Sequence, residues 1–163
     1  MESKQVMRAT PVPMRGEDFD ITHVRRVVAT NPNTPRQVLA RLSRDEVHII
    51  RRGVAGNPKT PVDILCELAA DANNDVRLAI AENPNTPPHI LASLAEDECV
   101  DVRFGVAENP HMPEEILLIL SQDENPYIRC RALKTLQMLA PDVQSRLRHL
   151  IQSIHKKQMS ASG

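Results

Sequence analysis

One interval, 26 residues, governs this chain. Asn-Pro recurs at Asn31-Pro32, Asn57-Pro58, Asn83-Pro84 and Asn109-Pro110, and Pro35, Pro61, Pro87 and Pro113 keep the same step. So do Leu39, Leu65, Leu91 and Leu117, and Leu42, Leu68, Leu94 and Leu120. Asp45, Asp71, Asp97 and Asp123 form another column, and Arg25, Arg51, Arg77, Arg103 and Arg129 a further one. Several columns holding one register mark an array of a single supersecondary unit. One unit has too little apolar area to offset the entropy of ordering it, so neighbours must share a core and stack into a solenoid.

The unit from Asn83 to Glu108 reads as a pair of helices. Thr86 before Pro87 is expected to cap a first helix, with Pro at its opening position. Ile90, Leu91 and Leu94 lie on one face of that helix, which should run to about Glu96. Asp97 to Val100 make a turn. A second short helix puts Val102 and Val106, four apart, on one side, and it must stop before Pro110 because the residue preceding proline is pushed out of the helical region. Asn109 then sits in a turn, where its amide bonds nearby backbone. No segment alternates with period two, so strands are not expected.

The pattern V-A-x-N-P-x-T-P-x-x-[VI]-L-x-x-L-x-x-D, followed by V/I-R, resembles the leucine-rich repeat variant family, and more broadly HEAT and armadillo helical repeats. Asn-Pro-x-Thr-Pro recurs in three units, and the fourth reads Asn109-Pro110-His111-Met112-Pro113, without the threonine. The resemblance covers about residues 20 to 134. It implies an all-α fold, a right-handed α-α superhelix of short helix pairs without sheet. The step here is slightly longer than the family's usual unit of about 24 residues. Some members carry a cysteine-rich iron–sulfur segment at the N-terminus; the first cysteine here is Cys66, so that cofactor is not carried over and none is expected. The resemblance to HEAT-type repeats also implies that the Asp and Arg columns (Asp45, Asp71, Asp97, Asp123; Arg25, Arg51, Arg77, Arg103, Arg129) form a structural ladder between consecutive repeats.

The ends depart from the repeat. Residues 1–19, with Pro11 and Pro13, read as a flexible tail. Residues 20–134 are four full repeats and a half repeat. Beyond Arg129 the Asn-Pro stop is replaced by Thr135-Leu136, so the last second helix can run on to about Leu139. Pro141 then opens a final helix, with 135–158 as the capping segment and 159–163 as a disordered tail. Solenoids need such a closing element with a polar outer face, which Arg146, Arg148, His149, His155, Lys156 and Lys157 supply.

Composition narrows the function. Aromatics are 2% (Phe19, Phe104 and Tyr127), too few for a platform on which single-stranded nucleic acid stacks. The longest aliphatic run, Ile116 to Leu120, is far too short to cross a bilayer, and no apolar signal segment opens the sequence. Cys66, Cys99 and Cys130 form no CxxC pair and have no zinc-like spacing to histidine, so no metal is expected and a reducing cytoplasm is the default compartment. His23, His48, His89, His111, His149 and His155 share no column and read as surface residues. Cys66 shares a column with Ala40, Ala92 and Leu118 and reads as a small packed residue, whereas Cys130 falls on an exposed stripe. No nucleophile–base pair and no glycine-rich phosphate loop appears, so no catalytic residue is assigned.

The net charge of −1 conceals a strong division. Residues 1–60 carry 11 Lys/Arg against 6 Asp/Glu, residues 61–125 carry 2 against 14, and residues 126–163 carry 7 against 1. In a linear solenoid these blocks remain separate in space. The acidic centre suits a basic partner and repels a phosphate backbone, though it also suits a purely solvated surface. Basic ends and an acidic centre further allow weak staggered self-association.

The second helices carry the sharper expectation. With Val102 and Val106 facing the core, Asp101, Phe104 and Glu108 form the opposite stripe. The equivalent stripes are His23, Arg26, Thr30; Ile49, Arg52, Gly56; Asp75, Leu78, Glu82; and Tyr127, Cys130, Lys134. These columns vary while the scaffold columns repeat, as a recognition surface would. Leu78 and Phe104 are expected as apolar anchors within a rim of Asp75, Glu82, Asp101 and Glu108, with Arg26 and Arg52 further along; the alternative is that both apolar residues pack under a neighbour. The expected function is a non-catalytic protein or peptide interaction module or scaffold, with a partner of basic and apolar character. The alternatives are a nucleic-acid-binding HEAT-like protein and an accessory factor in tetrapyrrole-type cofactor metabolism.

Overall fold

In a computed structural model the described residues are 16–139, with side chains from residue 21 onward. The capping segment beyond Leu139 and both tails, apart from the last residues of the first, lie outside them. Among the described residues there are nine helices and no strand. They are α1 (Gly16–Thr30), α2 (Arg36–Leu42), α3 (His48–Ala55), α4 (Val62–Leu68), α5 (Asn74–Glu82), α6 (Pro88–Leu94), α7 (Val100–Glu108), α8 (Glu114–Leu120) and α9 (Pro126–Leu139). Helix α1 begins at Gly16, inside the segment expected as tail, and α9 runs unbroken to Leu139 because no Asn-Pro interrupts it.

The odd-numbered helices stack on one another as a continuous row, α1 to α9, and each even-numbered helix sits against the row on one side. Between these two layers runs a single apolar core. Leu39, Leu65, Leu91 and Leu117 come from the first helices of the pairs and are fully buried. They meet Ile50, Val54, Val76, Ile80, Val102, Val106 and Ile128 from the second helices. Burial of each large aliphatic side chain is worth roughly 1.5–3 kcal/mol, and every layer is shared by adjacent units.

Helix ends explain the Asn-Pro-x-Thr-Pro signature, with a correction to the expected role of threonine. Pro87, not Thr86, is the N-cap of α6, and that cap makes no side-chain hydrogen bond. Thr86 is buried and donates its Oγ1 hydrogen to the Ile80 carbonyl at 2.7 Å. The reason is local. In a continuing helix Ile80 would receive the N–H of residue 84, but Pro84 has none, so the Ile80 carbonyl takes the Asn83 N–H at 3.2 Å and the threonine hydroxyl instead. Thr34 serves the Val28 carbonyl and Thr60 the Val54 carbonyl in the same way, each at 2.6 Å. Met112 replaces the threonine in the fourth unit and fills the same buried place without the hydroxyl.

The next carbonyl along is served from the following unit. Asn57 donates through Nδ2 to the Ala29 and Asn31 carbonyls, and Asn83 to those of Ala55 and Asn57. Asn109 donates to the Ala81 carbonyl. Each Oδ1 meanwhile accepts the N–H two residues on, as Asn83 does from Asn85 at 2.9 Å. The asparagines therefore hold their own turns, as the sequence suggests, and also tie each rung to the one before it. In the last unit Thr135 takes over the tie, donating to the Ala107 carbonyl.

Candidate interaction surface

Geometry separates the side chains committed to the scaffold from those left for other work. Arg51, Arg77 and Arg103 each make a two-pronged bond to the aspartate of the following turn, Asp71, Asp97 and Asp123. Each also donates Nη1 to the carbonyl of its own turn's aspartate, Asp45, Asp71 and Asp97. Arg25 reaches Asp45 through a single 2.7 Å contact, and Arg129 donates to the Asp123 and Glu124 carbonyls. Arg25, Arg51, Arg77 and Arg103 with the four aspartates are thus consumed in joining rungs, whereas Arg129 braces its own turn.

The ladder shifts the titration of its members. The Arg51 hydrogen bond, against burial, holds Asp71 below its ordinary value, helped by the Asn73 N–H. At Asp97 and Asp123 burial is the largest influence and pushes upward, but bonds from Arg77 and Arg103, backbone N–H groups and arginine charge together outweigh it. The partner guanidiniums are raised, first by the same hydrogen bonds. Because the folded carboxylates have the lower pKa, the unfolded chain binds more protons in acid. The ladder's pH-linked stability is complete above about pH 4, the unfolded aspartate range, and is lost as pH falls through the folded values. Urea midpoints should therefore fall below about pH 4, and Asp97→Asn should flatten that fall; an equally steep fall in the variant would refute the linkage.

The stripe on the second helices is accessible in every rung. His23, Arg26 and Thr30 on α1 are exposed, as are Arg52 on α3, Gly56 at its C-cap, and Asp75 and Glu82 on α5. The same holds for Asp101 and Glu108 on α7 and for Tyr127, Cys130 and Lys134 on α9. Ile49, Leu78 and Phe104 are half-buried and pack against the core. The two expected anchors are thus neither free-standing nor sealed. Leu78 lies over α7 at Gly105, where an added Cβ would come 2.6 Å from Leu78 Cδ1. Glu108 differs from the other acidic rim residues, because Arg131 pairs with it at 2.8 Å. Asp75, Glu82 and Asp101 have no ion pair among the described residues. Asp75 and Asp101 occupy first helical turns, where the helix dipole favours a negative charge.

The sequence reading missed a groove of about 500 Å³ across the stripe, bounded by Arg26, Thr30, Arg52, Gly53, Gly56 and Glu82. Its only signal was two glycines three apart, Gly53 in α3 and Gly56 at that helix's C-cap. A Cβ at Gly53 would come 3.1 Å from Ala29 Cβ, so α1 and α3 approach closely at that point. On the opposite layer Cys66 is exposed rather than packed, because its position on α4 points outward, and its Sγ lies 3.9 Å from His89 Nε2. Cys99 precedes α7 half-buried; a hydrogen bond from Asn74 at 3.5 Å, with backbone N–H groups of the helix start, holds its thiol below the ordinary value. No group of three or more His, Cys, Asp or Glu that could hold a metal occurs among the described residues, and no helix among them is long and apolar enough to cross a membrane.

Shared apolar layers, a repeated charged ladder and a variable outer stripe define an all-α helical-repeat solenoid. The chain belongs to the leucine rich repeat variant family, whose model matches residues 22–47, 75–98 and 100–125. The intervening stretch contains the same helix pair with the same ladder bonds. No curated protein is similar enough to be matched to it.

Proposed function

We propose that this solenoid is a non-catalytic interaction module that binds a segment of another protein along the outer face of its second-helix row. One observation carries the reading: the outer stripe stays at least partly accessible on every rung and changes character along the row, from Arg26 and Arg52 to Asp75, Glu82 and Asp101, whereas the columns that repeat throughout are absorbed by core and ladder. Asp75 and Asp101, with the half-buried Leu78 and Phe104 beside them, fit a segment with cationic and apolar side chains. Complementary charge of this kind acts mainly on the association rate, and partly exposed apolar area supplies the hold.

Leu78→Ser and Phe104→Ser are poor tests, since both residues also support the core. Asp75→Lys with Asp101→Lys is cleaner. Each reversal costs about 0.3–1 kcal/mol through the helix dipole, which leaves the fold intact. A display library of short random peptides panned on the full chain should yield basic, apolar sequences, and the double variant should lose about tenfold or more in affinity for them, mostly in association rate. Enrichment of nothing, or binding indifferent to both reversals, would refute the reading.

A further inference from the structure

We infer that the groove framed by Arg26 and Arg52 seats an anionic side chain, an Asp or Glu carboxylate, of the same protein segment whose cationic part lies on Asp75 and Asp101. This rests on the interaction reading above and adds a direction to it.

Nearly every other arginine of the described residues is engaged. The ladder takes four, and Arg129 is held by two carbonyls of its own turn; Arg36 pairs with Asp63, Arg44 with Glu67 and Arg131 with Glu108. Arg26 and Arg52 have neither an ion pair nor a side-chain hydrogen bond among these residues, and Arg41, which shares that state, stands on α2 away from the groove. The two guanidiniums occupy equivalent positions on adjacent helices, one rung apart, and Ile49, Gly53, Gly56 and Ala79 add no charge to the groove they share. Guanidinium presents a planar fork of donors matched to a carboxylate, and two such forks at the margin of one concavity favour an anion.

Charge along the rest of the stripe selects the source of that anion. Glu82 stands on the far wall, and Asp75 and Asp101 follow. A phosphodiester strand leaving the groove would run into this acidic stretch and be repelled. A protein segment with an acidic residue followed by basic ones meets complementary charge at both ends. The sign change between Arg52 and Glu82 therefore fixes which end of the segment points toward α1.

The test uses the same peptide library on the full chain, with Arg26→Ala/Arg52→Ala as the comparison, its helicity and melting checked first. Enriched peptides should carry an acidic residue to one side of their basic, apolar part. A synthesised one should bind the double variant about tenfold or more weakly. Replacing its acidic residue by the matching amide should weaken binding to the parent chain but not to the variant. Peptides lacking an acidic residue, or an amide that loses nothing, would overturn the groove assignment while leaving the interaction reading in place. A single-stranded oligonucleotide that displaces the peptide from the parent chain but not from the variant would overturn it too, in favour of phosphate. A library that yields nothing would overturn the interaction reading itself.

Discussion

Arg77→Met should lower the unfolding free energy by about 3–5 kcal/mol, read as a shift of the urea midpoint at neutral pH. Arg77 lies in the middle of the ladder, its side chain 11% exposed against 7% for Asp97. Methionine keeps much of the packing volume and removes all the donors. Asp97 then remains a buried carboxylate held by the Cys99 N–H, and the Asp71 carbonyl loses its guanidinium partner. The penalty comes chiefly from these stranded groups rather than from the lost attraction. The double variant Arg77→Met/Asp97→Leu should therefore recover much of the loss, since the uncompensated charge is gone. Arg25→Met should cost less, because Arg25 is 39% exposed and makes one contact. A double variant no better than the single one would show that the ladder stabilises through attraction and not through avoided burial.

The sequence discloses what is periodic and local. The 26-residue step, the breaks at Asn-Pro and the apolar columns follow from spacing alone, and helices α6 and α7 fall within two residues of their expected limits. Contacts that depend on the distance between rungs are not legible in this way. Thr86 fits the ordinary rule for a helix cap, yet its hydroxyl turns back six residues, because the Ile80 carbonyl, left without its usual donor by Pro84 and holding only the Asn83 N–H, is close. The amide of Asn83 reaches 26 and 28 residues upstream, a partner that exists only once units stack. The variable stripe is visible from helical geometry. That Leu78 folds over Gly105, that Arg131 neutralises Glu108, and that a groove lies beside Arg26 and Arg52 where Gly53 lets α1 and α3 close together all depend on close helix approach, which no one-dimensional period encodes.

Asn83→Ala should cost about 3 kcal/mol, whereas Asn31→Ala should cost about 1 kcal/mol or less, although the two residues occupy the same column. Asn83 is 2% exposed and makes three hydrogen bonds, two of them to carbonyls of the preceding unit. Alanine strands the Ala55 carbonyl at the buried end of α3 and frees the Asn85 N–H. Asn31 is exposed and makes only the turn bond, to the Asn33 N–H at 2.9 Å, with no earlier Asn-Pro rung in the sequence to tie to. Asn83→Asp separates the two roles. It keeps the shape and the acceptor for Asn85 but sets oxygen against two carbonyl oxygens, so at neutral pH it should be at least as damaging as alanine. Urea unfolding of the three variants tests the order. Equal losses at positions 31 and 83 would mean that asparagine acts only on its own turn, and the rungs would then be held by the apolar layers and the Arg–Asp ladder alone.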